Sequence, residues 1–130
     1  ITAMRRHGKS CFLDIRDVTG RIQVYATLSD LGADTYAIVK LLDIGDFIGV
    51  EGPLFKTRTG EITILAKHLT ILCKALLGLP EKWHGLQDVE IRYRQRYLDV
   101  ISNEKVAQIF VKRSRIISGI RQFLDSLGYL

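Results

Sequence analysis

The sequence predicts a mainly β domain, a five-stranded Greek-key barrel, followed by a linker and a helical C-terminal part. Three observations support this fold class. Short alternating runs punctuated by glycine fill residues 1–72, while glycine and proline recur with little periodicity over residues 73–87. Apolar residues then recur at helical spacing over residues 88–130. We therefore expect three segments with these boundaries.

The β-type part begins with a strand at Ile1–Arg6 and continues as a hairpin. Ser10–Arg16 and Gly20–Ala26 both alternate apolar and polar residues, and the turn sequence D-V-T-G at residues 17–20 joins them. Because Ile1 stands inside the alternating pattern, we interpret the first strand as truncated and the chain as part of a longer protein.

The next segment changes period and then returns to the strand pattern. Asp30–Asp43 has apolar residues at helical spacing, with Asp30 as the candidate N-cap. Asp46–Phe55 and Ile62–Leu72 read as two further strands, linked by a polar loop. The resulting order, β-β-β-α-β-β, is that of an OB-fold, a five-stranded, partly open Greek-key barrel.

The C-terminal part predicts two helices. Asp88 is the candidate N-cap of a helix over Val89–Ile101, and Asn103 is the candidate N-cap of a long helix that ends before Gly128. One face of the long helix is apolar, so we expect it to pack on a further domain or on another chain. The residues of this face are Val106, Ile109, Phe110, Ile117, Ile120, Leu124 and Leu127.

Composition excludes several classes of protein. No apolar run is long enough to span a membrane. Cys11 and Cys73 stand far apart without metal-ligand spacing, which indicates reduced thiols rather than a zinc site or a disulfide framework. The net charge of +5 is compatible with a polyanionic partner but does not identify one, because many basic proteins bind no nucleic acid.

Several motifs together resemble the bacterial-type class II lysyl-tRNA synthetase family. The first motifs are shared with the related aspartyl and asparaginyl enzymes, whereas the last two are specific to the lysyl branch. Arg113–Leu130 is similar to the helix that opens the first catalytic motif of the family. The motifs are Arg6–Phe12, Asp17–Gln23, Gly52–Glu61, Leu79–Leu86 and Arg92–Asp99.

The resemblance implies that four residues contact a tRNA anticodon: Arg5, Phe12, Gln23 and Glu61. Phe12 would stack on a base, and Arg5 would hold phosphate or stack. Oxygen atoms of Gln23 and Glu61 would accept a hydrogen bond from N3–H of uracil and oppose N3 of cytosine, which suits the uridine-rich lysine anticodon.

The resemblance also implies the setting of the whole enzyme. The parent would be a cytoplasmic lysine–tRNA ligase that uses ATP and Mg²⁺ and recognises tRNA-Lys, with no membrane association. The motifs that hold ATP, metal and lysine are absent from the 130 residues, so we expect this chain to bind an anticodon but not to aminoacylate. The helix over Asn103–Leu127 would form the homodimer interface.

Three alternatives remain open at this stage. The domain could belong to an aspartyl- or asparaginyl-tRNA synthetase, it could be a general single-strand-binding OB module, or the chain could act mainly as a dimerisation piece. Arg92, Arg94 and Arg96 alternate with tyrosines, and we interpret them as forming interdomain packing contacts and salt bridges rather than RNA contacts.

Overall fold

The computed structural model describes residues 1–79, 86 and 88–129 of the 130. They fall into two compact units, residues 1–78 and residues 79–130. Of the predicted linker, residues 80–85 and 87 lie outside the described residues, as does residue 130. The elements are β1 (Ala3–His7), β2 (Ser10–Arg16), β3 (Arg21–Thr27), α1 (Leu28–Lys40), β4 (Phe47–Glu51), β5 (Leu54–Lys56), β6 (Ile62–Leu65), β7 (His68–Cys73), α2 (Val89–Arg94), α3 (Arg96–Ser102) and α4 (Glu104–Ser126).

The predicted hairpin is confirmed as β2 and β3, which pair antiparallel from Ser10 opposite Thr27 to Arg16 opposite Arg21. Its turn is closed by Asp17, whose Oδ1 accepts hydrogen bonds from the side chain and backbone N–H of Thr19 and from the backbone N–H of Gly20. These hydrogen bonds lower the pKa of Asp17. The turn therefore holds the register of the two strands.

The two later predicted strands are each divided in two. The strand conformation is interrupted at residues 52–53, between β4 and β5, and again at residues 66–67, between β6 and β7. β4 and β7 form a two-stranded sheet, whereas β5 and β6 join the first three strands in the order β1-β2-β3-β6-β5, with β6 parallel to β3. The predicted OB-fold class is confirmed, with its last two strands passing from one sheet to the other.

The core of this unit lies between the sheets and α1. Alternate residues of β2 and β3 point into it, as the period of two predicts. Cross-connections hold the sheets together: the backbone N–H of Ala66 donates to the carbonyl of Tyr25 (2.9 Å), and that of Lys67 to the carbonyl of Glu51 (2.8 Å). The buried apolar residues are Cys11, Leu13, Val24, Ala26, Leu31, Tyr36, Val39, Leu42, Ala66 and Leu69.

Helix α1 begins earlier than the sequence predicts. The N-cap is Thr27, whose hydroxyl accepts from the backbone N–H of Asp30 (3.1 Å), so the prediction of Asp30 as the N-cap is wrong. The carboxylate of Asp30 instead accepts from Lys67 and from the Thr27 hydroxyl, and these bonds lower its pKa. Gly32 (φ 77°) interrupts the helix after its first turn.

The second unit contains three helices within the described residues. Asp88 caps α2 as predicted, accepting from the backbone N–H groups of Glu90 (2.8 Å) and Ile91 (3.0 Å). The single helix expected over Val89–Ile101 is broken at Gln95 into α2 and α3. Asn103 occupies the N-cap position of α4 but its side chain makes no capping hydrogen bond.

A buried carboxylate joins α2 and α3. Asp99 is 1% exposed and accepts from Arg92 Nε (3.1 Å) and Arg96 Nη1 (2.9 Å). The guanidinium of Arg96 also lies over the rings of Tyr93 (4.7 Å) and Phe110 (5.8 Å). The predicted salt bridges of this arginine-rich motif are thereby confirmed.

The long helix α4 is amphipathic, and most of its apolar residues are exposed. Val106 is buried, while Ile109, Ile117 and Ile120 are exposed. Gly128 follows the helix with φ 74°, as predicted for a C′ glycine. Among the described residues no helix is long and apolar enough to cross a membrane.

Candidate nucleic-acid interface

The outer face of the five-stranded sheet, which we call the reading face, carries three of the four residues named by the resemblance. Since Cys11 and Leu13 point into the core, Phe12 between them points outwards. Arg5 on β1 and Tyr25 on β3 stand directly opposite Phe12, and directly opposed residues share one face. Gln23 lies two residues before Tyr25 and therefore faces the same way.

Aromatic rings form a row across the reading face. Phe12 and Tyr25 stack with centroids 4.4 Å apart and planes inclined by 28°. Tyr25 and Phe55 continue the row at 6.2 Å with planes inclined by 60°. The rings of Phe12 and Tyr25 are half-buried and that of Phe55 is exposed, so the row presents an aromatic surface at the sheet's exterior. Such surfaces bind the flat faces of unpaired bases.

Sequence reasoning missed Tyr25 and Phe55. The signal for Tyr25 was present, because a period of two places it on the face of Gln23. Phe55 joins the row only because β5 pairs with β6, where Phe55 lies opposite Thr63, and β6 pairs with β3. That arrangement depends on tertiary pairing between distant segments.

Gln23 is held in a defined orientation. It is 8% exposed, and its Oε1 accepts a hydrogen bond from the hydroxyl of Thr63 at 3.0 Å. Thr63 lies beside it on the parallel strand β6 and is fully buried. The amide oxygen that was expected to face a uridine edge therefore already accepts one hydrogen bond within the domain.

Glu61 lies at the end of the loop between β5 and β6, two residues before Thr63. The loop is closed by Thr57, whose backbone N–H donates to the Glu61 carbonyl (2.9 Å) and whose hydroxyl accepts from the Glu61 N–H (3.0 Å). The side chain of Glu61 is exposed, and within the part of the chain that the structure describes its carboxylate accepts no hydrogen bond. Its oxygen atoms are available to a ligand.

Exposed cations surround the reading face. Arg5, Lys56 and Arg58 are exposed and belong to β1, the end of β5 and the following loop. Arg6 has a structural role instead, because its Nη2 donates to two backbone carbonyls. One belongs to Lys40 at the end of α1 (3.3 Å), and the other belongs to Leu42 just after the helix (2.6 Å). Exposed guanidinium and ammonium groups beside an aromatic row suit a phosphate backbone.

A buried carboxylate lies on the same face. Asp14 is opposite Gln23 in the strand register, and its Oδ2 accepts from Nη2 of Arg21 at 3.1 Å. Its Oδ1 is buried and has no hydrogen-bond partner among the described residues. Thus Arg21 is drawn onto the reading face by an ion pair at the hairpin's end.

Within the part of the chain that the structure describes, the two thiols and the other polar residues form no metal site. Cys11 is buried and Cys73 is exposed, and both are free. Burial raises the pKa of the Cys11 thiol, although the positive charge of Arg6 acts in the opposite direction. Over residues 1–79, 86 and 88–129, no three His, Cys, Asp or Glu side chains converge as metal ligands.

Fold and surface together define a class of protein, the OB-fold domain that binds single-stranded nucleic acid. Comparison with protein families agrees, because the family model for the OB-fold nucleic acid binding domain matches residues 1–72. The chain belongs to this family. Residues 88–130 match a second family model, that of the class II tRNA synthetases (D, K and N).

Curated relatives that match this chain over all of its 130 residues carry the name lysine–tRNA ligase. The chain is 52% identical to the protein of Moorella thermoacetica and 55% identical to that of Carboxydothermus hydrogenoformans, in each case over all 130 residues and 27% of the relative. It is 55% identical to that of Dehalococcoides mccartyi, covering 26% of it. The chain thus spans about a quarter of the length of the curated relatives it matches. The resemblance to lysyl-tRNA synthetases is confirmed.

Proposed function

We propose that this chain is the anticodon-reading part of a lysine–tRNA ligase and that its reading face selects tRNA-Lys. The aromatic row on an open sheet face, flanked by Gln23 and Glu61, is the observation that carries the proposal. The names of the relatives and the match to the class II synthetase family support the same assignment.

Affinity in this proposal comes from stacking and charge. Base stacking on an aromatic side chain contributes about 1–3 kcal/mol per base and tolerates any base. Phe12 and Tyr25 supply two adjacent rings, so two neighbouring bases can be held once they leave the helical stack. Arg5, whose guanidinium is exposed beside Phe12, contacts phosphate and positions the loop.

Base identity comes from the hydrogen-bonding side chains. The carboxylate of Glu61 only accepts hydrogen bonds when ionised, and uracil donates one from N3–H whereas cytosine presents an acceptor there. A uridine therefore pairs with Glu61, and a cytidine meets repulsion between lone pairs. This difference separates an anticodon reader from a general single-strand-binding module, which the aromatic row alone would also suit.

The remaining proposals concern the whole enzyme and the division of the chain. We propose that the parent protein uses ATP and Mg²⁺ to attach lysine to tRNA-Lys, and that this chain contributes recognition without aminoacylating alone. No group of His, Cys, Asp or Glu in the described ranges fits a Mg²⁺ ion, so no chemical step is assigned to these residues. We also propose the division into residues 1–72, a linker at 73–87 and residues 88–130.

We further propose that the parent is a cytoplasmic homodimer. The support for dimerisation is the segment Asn103–Leu127, which consists of α4 and its two cap residues. The apolar face of this helix is exposed at Ile109, Ile117 and Ile120. Burying such a face against a second copy would remove a large apolar surface from water. The free thiols of Cys11 and Cys73 support a reducing compartment.

Replacing Phe12 with alanine tests the proposal. We expect binding of a uridine-rich anticodon stem-loop to weaken by about 1–3 kcal/mol, roughly 5- to 150-fold in Kd, because one stacking ring is lost. The domain should stay folded, with a melting temperature lowered by at most a few degrees, since a cross-strand aromatic pair contributes only about 0.2–1 kcal/mol. Fluorescence anisotropy measures the affinity and circular dichroism the melting curve.

Phe47 provides the matched control for that variant. It is a phenylalanine that is 61% exposed, but it lies on β4 in the other sheet. Phe47→Ala should leave RNA affinity unchanged. Equal losses of affinity in the two variants would place RNA binding elsewhere. Unfolding of Phe12→Ala, or a clear loss of its stability with unaltered affinity, would make Phe12 a packing residue.

A second test concerns Glu61, for which charge and base reading predict opposite effects. As a mere surface charge near a polyanion, Glu61→Gln would tighten binding of every sequence, most at low salt. If Glu61 reads bases, the glutamine amide of the variant can still accept a hydrogen bond from uridine but can also donate one to cytidine. Discrimination between loops that differ by one central U→C change should then fall by roughly 1–2 kcal/mol.

The titrations for Glu61 are made at two salt concentrations, with Glu51→Gln as control. Glu51 is exposed at the end of β4, outside the reading face. Its variant should change both affinities equally. If Glu61→Gln does the same, with a gain that vanishes at high salt, Glu61 does not read bases.

A further inference from the structure

The hydroxyl of Thr63 contacts the side chain of Gln23 and lies near the backbone of Glu61, the two residues proposed to read bases. Its Oγ1 is 3.0 Å from Oε1 of Gln23 and 3.4 Å from the backbone carbonyl oxygen of Glu61. The side chain is fully buried, on a strand that pairs directly with the strand of Gln23. A buried threonine hydroxyl that faces the outer layer of a sheet needs a partner, because an unsatisfied one costs free energy.

The hydroxyl has one proton, so it can donate to only one of these acceptors. The contact with Gln23 lies within the usual range for an O–H···O bond, whereas 3.4 Å lies beyond it. Thr63 therefore donates to the amide oxygen of Gln23. With Oε1 engaged on the β6 side, the other end of the amide, Nε2, is turned away from Thr63.

The Nε2 group carries the two donors of Gln23, whereas Oε1 already accepts one hydrogen bond from Thr63. Among the described residues no hydrogen bond uses Nε2. This atom is nevertheless not one of the buried polar atoms without a partner, so it is accessible at the surface. An amide NH₂ carries two donors and no acceptor. The reading face thus presents donors at Gln23 and acceptors at the Glu61 carboxylate.

We infer that Thr63 is a positioning residue for base identity: by holding the amide oxygen of Gln23, it makes this side chain a hydrogen-bond donor that selects uridine. The inference rests on the proposed anticodon-reading function. Uracil alternates an acceptor at O4 with a donor at N3–H, and a donor from Gln23 beside an acceptor from Glu61 complements this order. Cytosine reverses both groups, with a donor at N4 and an acceptor at N3.

The consequence of losing the hydroxyl follows from the freedom of the amide. Without Thr63 to hold it, the Gln23 amide can rotate and offer either its donors or its oxygen. It then accepts from N4–H of cytidine as readily as it donates to O4 of uridine. The affinity for uridine falls little, while the affinity for cytidine rises.

The experiment compares Thr63→Val with Thr63→Ser in the 130-residue chain. Valine keeps the shape and removes the hydroxyl, whereas serine keeps the hydroxyl. The ratio of the Kd for the central-cytidine stem-loop to the Kd for the central-uridine stem-loop should fall about 5- to 10-fold in Thr63→Val. This is the order of magnitude expected when one hydrogen bond to a base edge no longer discriminates. Thr63→Ser should retain the wild-type ratio. A merely structural role of Thr63 would not predict a Kd ratio that falls in folded Thr63→Val and is kept in Thr63→Ser.

Gln23→Glu provides a second measurement if Thr63→Val fails to fold. Its carboxylate can still accept from Thr63 but has no N–H donor, so the preference for uridine should fall by a similar factor. A carboxylate weakens binding to both loops through repulsion, and the Kd ratio cancels that effect. If the amide oxygen were the reading group, Gln23→Glu would instead keep the wild-type preference.

The outcomes separate this inference from the proposed function. A wild-type chain that binds both loops equally, or is unaffected by Phe12→Ala, overturns anticodon reading and the inference with it. A wild-type chain that prefers uridine, with an unchanged Kd ratio in folded Thr63→Val or in Gln23→Glu, overturns only the role of Thr63. Lost discrimination in both variants with rescue in Thr63→Ser supports it.

Discussion

Replacing Gly52 with alanine is expected to destabilise the β-rich unit by ~3 kcal/mol or more, the upper end of the cost of overpacking. A Cβ atom at Gly52 would lie 1.8 Å from the backbone carbonyl oxygen of Leu65 and 3.2 Å from the backbone nitrogen of Lys67. Backbone atoms cannot rotate away as a flexible side chain can. Here the chain passes from β4 to β5 directly against the passage from β6 to β7.

Urea denaturation of Gly52→Ala measures the loss, with Gly20→Ala as control. A Cβ atom at Gly20 would meet nothing within 4 Å, although Gly20 also lies in a turn between strands. Its variant should stay within about 0.5 kcal/mol of the wild type. Equal stability of the two variants would mean that the two chain segments do not approach as closely as described.

The second large effect is expected at Asp46, a fully buried carboxylate that ties the end of β7 to the loop before β4. It accepts from the backbone N–H groups of Asp43 (2.7 Å) and Ala75 (2.8 Å) and from Lys74 Nζ (2.9 and 3.1 Å). Burial acts to raise the pKa of Asp46, but the hydrogen bonds from Ala75, Asp43 and Lys74 outweigh it and lower the pKa overall.

Asp46→Ala should cost about 2–4 kcal/mol at neutral pH, because it leaves two backbone donors unpaired and removes one of the two carboxylates that Lys74 contacts. Asp34→Ala is the control, since Asp34 is exposed on α1 and should contribute less than about 0.5 kcal/mol. A loss at Asp46 no larger than at Asp34 would contradict the assignment of this buried network.

The pH dependence of Asp46 has a defined sign. Because its pKa is lower in the folded than in the unfolded chain, its stabilisation is complete above the unfolded value, about 4, and is lost as pH falls through the folded pKa. Lys74 behaves in the opposite sense: hydrogen bonds from its ammonium to Asp43 and then Asp46 raise its pKa. Its contribution is present below the unfolded pKa and is lost at more alkaline pH.

Local patterns predicted the hairpin well, and tertiary pairing explains what they missed. The bounds of Ser10–Arg16 were predicted correctly because a period of two and a turn sequence are both local signals. The division of the later strands was missed because it depends on where segments far apart in the chain meet. Gly52 and Pro53 marked one of these breaks in the sequence, but residues 66–67 carry no comparable signal.

The candidate site likewise contains residues that the sequence identified and a residue that only tertiary pairing reveals. Phe12 and Gln23 were named through a family resemblance, and the strand register brings them to one face together with Arg5. Thr63 could not be found from the sequence, since its hydroxyl bonds a residue 40 positions away. Nor could sequence show that the amide oxygen of Gln23 accepts a hydrogen bond from Thr63.

The most direct test of the central claim is an NMR titration of the ¹⁵N-labelled chain with a uridine-rich anticodon stem-loop. If the reading face binds the anticodon, the largest shifts of backbone amide signals should fall on Phe12, Gln23 and Tyr25 and on residues 56–63. Signals of β4 and β7 should move little, because these strands form the other sheet. Largest shifts on β4, β7 or α4, with the signals of Phe12 and Tyr25 unmoved, would contradict the claim.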